Sequence, residues 1–238
     1  MNSELYLAKD RGHANHGWLN SYHSFSFGGY HNPNKVHFGA LRVLNDDTVN
    51  GGMGFGKHPH ENMEIISIPL EGKLEHQDSM GNKTIISKGE VQILSAGTGI
   101  FHSEKNYEHN KPVKFLQIWV FPDKKNIEPR YDQKAFHEES RKNSFQTIVS
   151  PLGTSDEGIK INQNAWFSLI DLKSKENNTY VLKNPQNGVF VFVISGEIVI
   201  DSKILNFRDA LGINNSDSFE IHANLNSEVL LMEIPMEF

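Results

Sequence analysis

Apolar residues along this chain fall in short runs, many alternating with polar ones, and turn-forming residues interrupt them at spacings of about ten. Residues 63–70, 72–77, 83–87, 91–94 and 113–120 read as strands, parted by Glu71-Gly72, Met80-Gly81-Asn82 and Lys88-Gly89-Glu90. Upstream, the period-two pattern of 22–27 places Phe25 and Phe27 on one strand face, and a further strand in 38–49 is expected to end at the turn signal Asn45-Asp46-Asp47. Residues 122–141, charged and carrying Pro129, read as a connector. Beyond it the rhythm resumes at 145–149, 159–161, 165–172, 178–182, 188–195, 197–200, 204–207, 210–213, 218–221 and 228–235. Each half holds an apolar strand closing on Glu-Gly or Gly-Glu, at 65–72 and 189–197, which is a weak internal repeat. Helical periodicity is nearly absent, so the expected fold class is all-β, a sandwich or barrel architecture.

Composition narrows the chemistry. At 238 residues the chain can bury most of its apolar surface without crosslinks. It has no cysteine, which removes disulfides, thiolate-held zinc, iron–sulfur clusters and cysteine nucleophiles together, so any metal must be held by nitrogen and oxygen. A net charge of −6 with interspersed signs offers no basic stripe for nucleic acid. No run approaches the roughly 18–20 apolar residues of a spanning helix, and the first ten residues lack the pattern of a secretion signal, so a cytoplasmic protein is the expectation.

The chemistry concentrates at two places. His58 and His60 stand one residue apart after the glycine-rich 51–56, and His102 and Glu104 repeat that spacing after Ser95-Ala-Gly-Thr-Gly-Ile-Phe. Strand residues at i and i+2 share a face, so each pair projects together and two such strands can converge four side chains. Three imidazoles and a carboxylate suit a transition metal such as Fe, Mn, Co, Ni, Cu or Zn better than Ca or Mg, and leave positions for substrate. Glu64 shares the parity of His58 and His60 and reads as a fifth ligand or as a supporting or ion-paired carboxylate. The glycines of 51–56 do not form a phosphate loop, because no Lys-Ser/Thr and no helical pattern follow. His13, His16, His23, His31 and His37 read as surface or capping histidines.

His58-Pro-His60-x-x-x-Glu64 with Leu70-Glu-Gly72, and Ser95-Ala-Gly97-Thr-Gly99-Ile-Phe-His102-Ser-Glu104, resemble the two metal motifs of the pirin family within the cupin superfamily. Arg11-Gly-His13-Ala-Asn-His16-Gly-Trp18, residues 74–82 and Gln117-Ile-Trp119 extend the resemblance over the N-terminal half. It implies a bicupin of two jelly-roll domains: 1–135 binding the metal, and 136–238 a degenerate, metal-free cupin in which His222 stands alone. The implied ligands are His58, His60, His102 and Glu104, with Glu64 outside the shell, around one divalent metal, usually iron as Fe(II), with Cu, Ni, Co, Mn or Zn as alternatives. The family includes bacterial pirin-like quercetin 2,3-dioxygenases, which open flavonols with O2 and release carbon monoxide. This implies a flavonol substrate and Glu104 as the base for its 3-hydroxyl. Phe25, Phe27, Phe55, Met63 and Phe101 are candidates for an apolar mouth, against ordinary core packing. Eukaryotic pirins supply another expectation, an iron-binding, redox-responsive regulator acting on a protein partner; a different cupin enzyme acting on another enol is a third.

Overall fold

The computed structural model describes residues 1–238, and apart from two short 3-10 turns, Ala8–Asp10 and Glu138–Arg141, its regular structure is entirely strand. In the first half a seven-stranded sheet runs, in spatial order, through Arg130–Ala135, Glu90–Ser95, Glu64–Glu71, Val113–Val120, Leu41–Val49, Leu19–His23 and Gly12–Asn15. Against it lies a four-stranded sheet of Gly54–His60, Ile100–Asn106, Lys73–Asp78 and Lys83–Ser87. The second half repeats the plan. Its seven-stranded sheet contains Ala210–Asn214, Asn187–Ser195, Ser227–Pro235, Trp166–Leu172, Gln146–Pro151 and Ile159–Ile161, with Asn2–Tyr6 at one edge, and its four-stranded sheet contains Asn177–Val181, Ser218–Ala223, Ile198–Ile200 and Lys203–Leu205.

The two large sheets pack back to back through one apolar core in which Leu44, Ile66, Ile93 and Ile118 meet Phe167, Phe190, Phe192 and Met232. Strands of these sheets are therefore covered on both faces, which explains why 63–70 and 188–195 read as near-continuous apolar runs. Within the strand Asn187–Ser195 alternate residues divide cleanly: Phe190, Phe192 and Ile194 enter the central core, and Val189, Val191 and Val193 the second sandwich.

Several local expectations are corrected. Asn45-Asp46-Asp47 does not end a strand; Leu41–Val49 runs through it, because Asn45 and Asp47 face the interior of the first sandwich while Asp46 pairs with Arg11 and Arg208 on the other side. Phe25 and Phe27 lie beyond the strand Leu19–His23 and part company: Phe25 is buried against Tyr6 and Phe190, whereas Phe27 packs edge-on to Trp119. The charged connector contains an edge strand, Arg130–Ala135, where one face needs no apolar cover. The first strand, Asn2–Tyr6, pairs with Ala210–Asn214 and so belongs to the second half's sheet.

Glu64 begins its strand buried, and its Oε2 accepts hydrogen bonds from Ser95 Oγ (2.7 Å) and from the backbone N–H of Asn162 (3.1 Å) in the second half. It thus ties the halves together. Burial outweighs these two donors and raises its carboxyl pKa from 4.5 to about 7. A raised carboxyl pKa means that the folded state holds this proton more tightly than the unfolded chain. Its contribution is full below about pH 4.5 and is lost as pH rises through about 7. Glu64→Gln keeps an acceptor for both donors without the charge. Its Tm is expected to exceed that of the parent at pH 8, with about 2–4 °C for each kcal/mol, and the gap to close by pH 5. A gap independent of pH, followed by differential scanning fluorimetry, would contradict ionisation as the cause.

Candidate metal centre

The site is built on one strand pair. Gly54–His60 and Ile100–Asn106 run antiparallel with His58 directly opposite His102 and His60 opposite Ile100. Residues directly opposite point to the same face, so His58, His60 and His102 converge between the two sheets. The register then slips: Glu104 lies opposite Phe55, one residue further than regular pairing gives, so a β-bulge falls at Gly56-Lys57. The bulge has a chemical consequence. The carbonyl of Gly56 lies 2.8 Å from His58 Nδ1, and since a carbonyl only accepts, Nδ1 carries the proton and Nε2 is left as a free donor of electrons.

The three rings stand 4.4 to 4.9 Å apart, centroid to centroid. Both nitrogens of the buried His102 and Nε2 of His60 lack a protein partner. Orphaned imidazole nitrogens are costly in a dry interior, and a metal ion is the group that satisfies several at once. Burial, followed by the neighbouring imidazoles, lowers the pKa of His60 to about 4 and that of His102 to about 3, so both are neutral at pH 7 and ready to ligate. The donor set therefore fits a divalent transition metal.

Glu104 occupies the same strand face as His102. Its Oε1 accepts from Ser67 Oγ (2.9 Å) and its Oε2 from Gln117 Nε2 (3.1 Å), with Gln92 Nε2 at 3.5 Å from Oε1. These partners belong to one rung across the large sheet: His23 opposes Asn45, Asn45 opposes Gln117, Gln117 opposes Ser67, and Ser67 opposes Gln92. All five are buried. Two small apolar clusters lie within the same sandwich, one around Phe115 and Leu74 and one around Ile65 and Leu94.

Glu104 and His102 also cluster with His76, a residue that sequence reasoning missed. His76 stands opposite Glu104 on Lys73–Asp78, is wholly buried, bonds Asp78 through Nε2 (3.1 Å) and stacks on Tyr131. The alternation His76-x-Asp78 was its available signal. The ligand-type side chains thus form two clusters, His58–His60–His102 and His76–His102–Glu104, which share His102. Glu64 belongs to neither. In the second half, His222 is exposed and pairs with Glu220 (2.9 Å).

A cavity of about 290 Å³ opens over the site. Of the candidate aromatic residues, Phe27 and Phe55 line it together with Trp119, whose ring meets His60 edge-on at 4.8 Å. Phe25 lies in the central core, Met63 packs beside Ile65, and Phe101 is exposed on the far side under Lys57. His13 is an exposed partner of Asn20, and His31 and His37 are exposed as well. His23 is not a surface residue: it is buried on Ser21 and lines the cavity, whose rim includes His16.

Residues 6–120 match the Pirin family and residues 147–234 the quercetinase C-terminal cupin domain. A quercetin 2,3-dioxygenase of Escherichia coli (strain K12) is 42% identical over 97% of this chain and 99% of its own length, and a putative quercetin 2,3-dioxygenase of Pseudomonas aeruginosa is 40% identical over 94% and 95%. The crystal structure of the bacterial pirin YhhW from Escherichia coli in complex with nickel(II) superposes with a TM-score of 0.92 at 41% identity over 98% of this chain and 99% of that one. With these relatives and this arrangement of paired sandwiches, the chain is a bicupin and belongs to the pirin family.

Proposed function

We propose that this protein is a metal-dependent dioxygenase that opens flavonols such as quercetin with O2 and releases carbon monoxide. In this reading His58, His60, His102 and Glu104 hold one divalent metal, Fe(II) by preference. The observation that carries it is the convergence of His58, His60 and His102, with Nε2 of His60 and both nitrogens of His102 unpartnered, on the strand pair that also bears the buried Glu104, beside an aromatic-walled cavity. The names of the quercetin 2,3-dioxygenase relatives and the nickel(II) complex of the structural relative support it.

When bound, the metal supplies a Lewis-acidic position for the 3-hydroxyl and 4-carbonyl oxygens of the flavonol and a meeting place for O2. The protein's own groups do the rest. Trp119, Phe27 and Phe55 give the planar substrate an apolar enclosure that limits water. Glu104 takes the proton of the 3-hydroxyl, the step that turns the ring into an electron-rich enolate. Gln117, donating to Oε2, and Ser67, donating to Oε1, fix the plane of the carboxylate while each oxygen keeps a further acceptor position for that proton.

Glu104→Gln is expected to retain metal and to lose turnover by about 10²-fold or more, the usual scale of general-base catalysis. Metal analysis paired with the decay of flavonol absorbance checks this, and a metal-loaded, fully active variant would remove Glu104 as the base. His102→Ala, which takes away the ligand common to both clusters, is expected to abolish metal retention through dialysis. If parent protein loaded with Fe, Cu, Ni, Co or Mn leaves quercetin intact in air, the reading of an enzyme fails and that of a metal-binding protein replaces it.

The lowered pKa values of His60 and His102 set a pH window for metal retention. At these two ligands a proton competes with the metal only near or below about pH 4, not near the ordinary imidazole value of 6.5. The nickel-loaded protein should therefore keep its metal at pH 6 and release it as the pH falls towards 4. Equilibrium dialysis with metal analysis reads release, and NMR titration of the His60 and His102 ring protons in the metal-free protein reads the cause; ring titration near 6.5 would show that the pocket does not depress these two histidines.

A further inference from the structure

The cavity has a second polar wall that the proposed chemistry does not use. Ser21 and His23 alternate on the strand Leu19–His23, and their cross-strand neighbours on Leu41–Val49 are Asp47 and Asn45. All four are buried and all four line the cavity. His23 Nε2 lies 2.8 Å from Ser21 Oγ, and Ser21 Oγ in turn donates to Asp47 Oδ1. Since the Ser21 proton goes to Asp47, the bond from His23 to Ser21 must be donated by His23, which fixes its proton on Nε2. Asp47 is thereby held in one orientation, with its other oxygen accepting nothing from the protein.

No cation pairs with this carboxylate. Arg11 and Arg208 are bound by Asp46, whose side chain points to the opposite face of the same strand. A buried, oriented acceptor without a countercharge, on the wall of an aromatic-lined cavity, is poorly explained as packing, since an apolar residue would fill that place without the cost of burying an acid. What suits it is a hydroxyl that brings its own proton. Burial raises the Asp47 pKa from 3.8 to about 7, which shows how little the protein itself compensates this group.

We infer that Asp47, oriented by Ser21 and His23, is the group that selects hydroxylated substrates, by accepting a hydrogen bond from a ring hydroxyl that the metal does not hold. This rests on the flavonol reading given above. A phenolic hydroxyl is the donor class that such a wall would recognise, and a site built to bond a hydroxyl discriminates strongly against an analogue lacking it.

The test compares quercetin with 3-hydroxyflavone, which keeps the 3-hydroxyl and 4-carbonyl and lacks every other hydroxyl. With nickel-loaded parent protein, kcat/KM should favour quercetin. Asp47→Asn should lower kcat/KM for quercetin about tenfold, the scale of one hydrogen bond to a charged group, through KM more than kcat, and change that for 3-hydroxyflavone less than twofold. Ser21→Ala, a smaller perturbation that frees Asp47 from its support, should shift selectivity in the same direction and serves if Asp47→Asn does not fold. Binding of both compounds to redox-inert zinc-loaded protein separates the two readings. Binding of both without preference, or equal losses for both compounds in the variants, overturns the role of Asp47 and leaves the flavonol reading standing. If neither compound binds, both readings are overturned.

Discussion

The site depends on one constraint, the register between Gly54–His60 and Ile100–Asn106. Only with His58 opposite His102 do three imidazoles meet, because a slip of one residue would turn every side chain of a strand to the other face. The β-bulge at Gly56-Lys57 adjusts this pairing locally and provides the carbonyl that fixes the His58 tautomer. Pairing on the other side of Ile100–Asn106, with His76 opposite Glu104 and Asp78 opposite His102, pins the central strand from both edges. Two ladders therefore determine the position of His102, the residue that both ligand clusters require.

The second element is the polar rung from His23 to Gln92. In a sandwich this interior row would ordinarily be aliphatic, and each buried polar group costs on the order of 1–3 kcal/mol unless it is bonded. Here the row bonds the Glu104 carboxylate from below, and in doing so divides the interior into two apolar clusters of 6 and 4 buried residues. The corresponding space in the second half holds one continuous cluster of 17, with Ile170, Val191, Leu211 and Leu231 meeting Ile198, Phe219 and Ile221. The same strand plan thus serves two ends. One sandwich gives up hydrophobic burial for a preorganised polar centre, and the other keeps it.

The sequence made the alternation and the glycine punctuation visible, and with them the all-β class, most strands of both sandwiches and the pairs His58/His60 and His102/Glu104. It hid what depends on the third dimension. Asn45-Asp46-Asp47 looked like a turn because turn propensity is local, whereas the strand persists there through cross-strand partners distant in sequence. His76 and His23 escape a reading of the sequence for a related reason: a lone polar residue in a strand reads as solvent-facing until the layer above it is known. Glu64 showed the parity of a ligand. Parity, however, cannot distinguish a site from the interface with another domain, and Glu64 meets Asn162.

That interface is part of the site's rigidity. The N-terminal segment starts as an edge strand of the second half at Asn2–Tyr6, is tied there by the bond from Ala8 N–H to Asp209 (2.7 Å), and then enters the first half as Gly12–Asn15 and Leu19–His23, which wall the cavity. Arg11 and Arg208, one at the hinge of this passage and one in the second half, share Asp46 on the strand whose other face carries Asp47. Arg130 reaches across to the carbonyl of Lys160, and Glu64 to Asn162. Motion of one half against the other would pull on the cavity wall and on the strand bearing Ser67, which holds Glu104. The second sandwich, filled by one continuous apolar cluster, thus backs the strands that carry the cavity wall and Ser67 through the shared core.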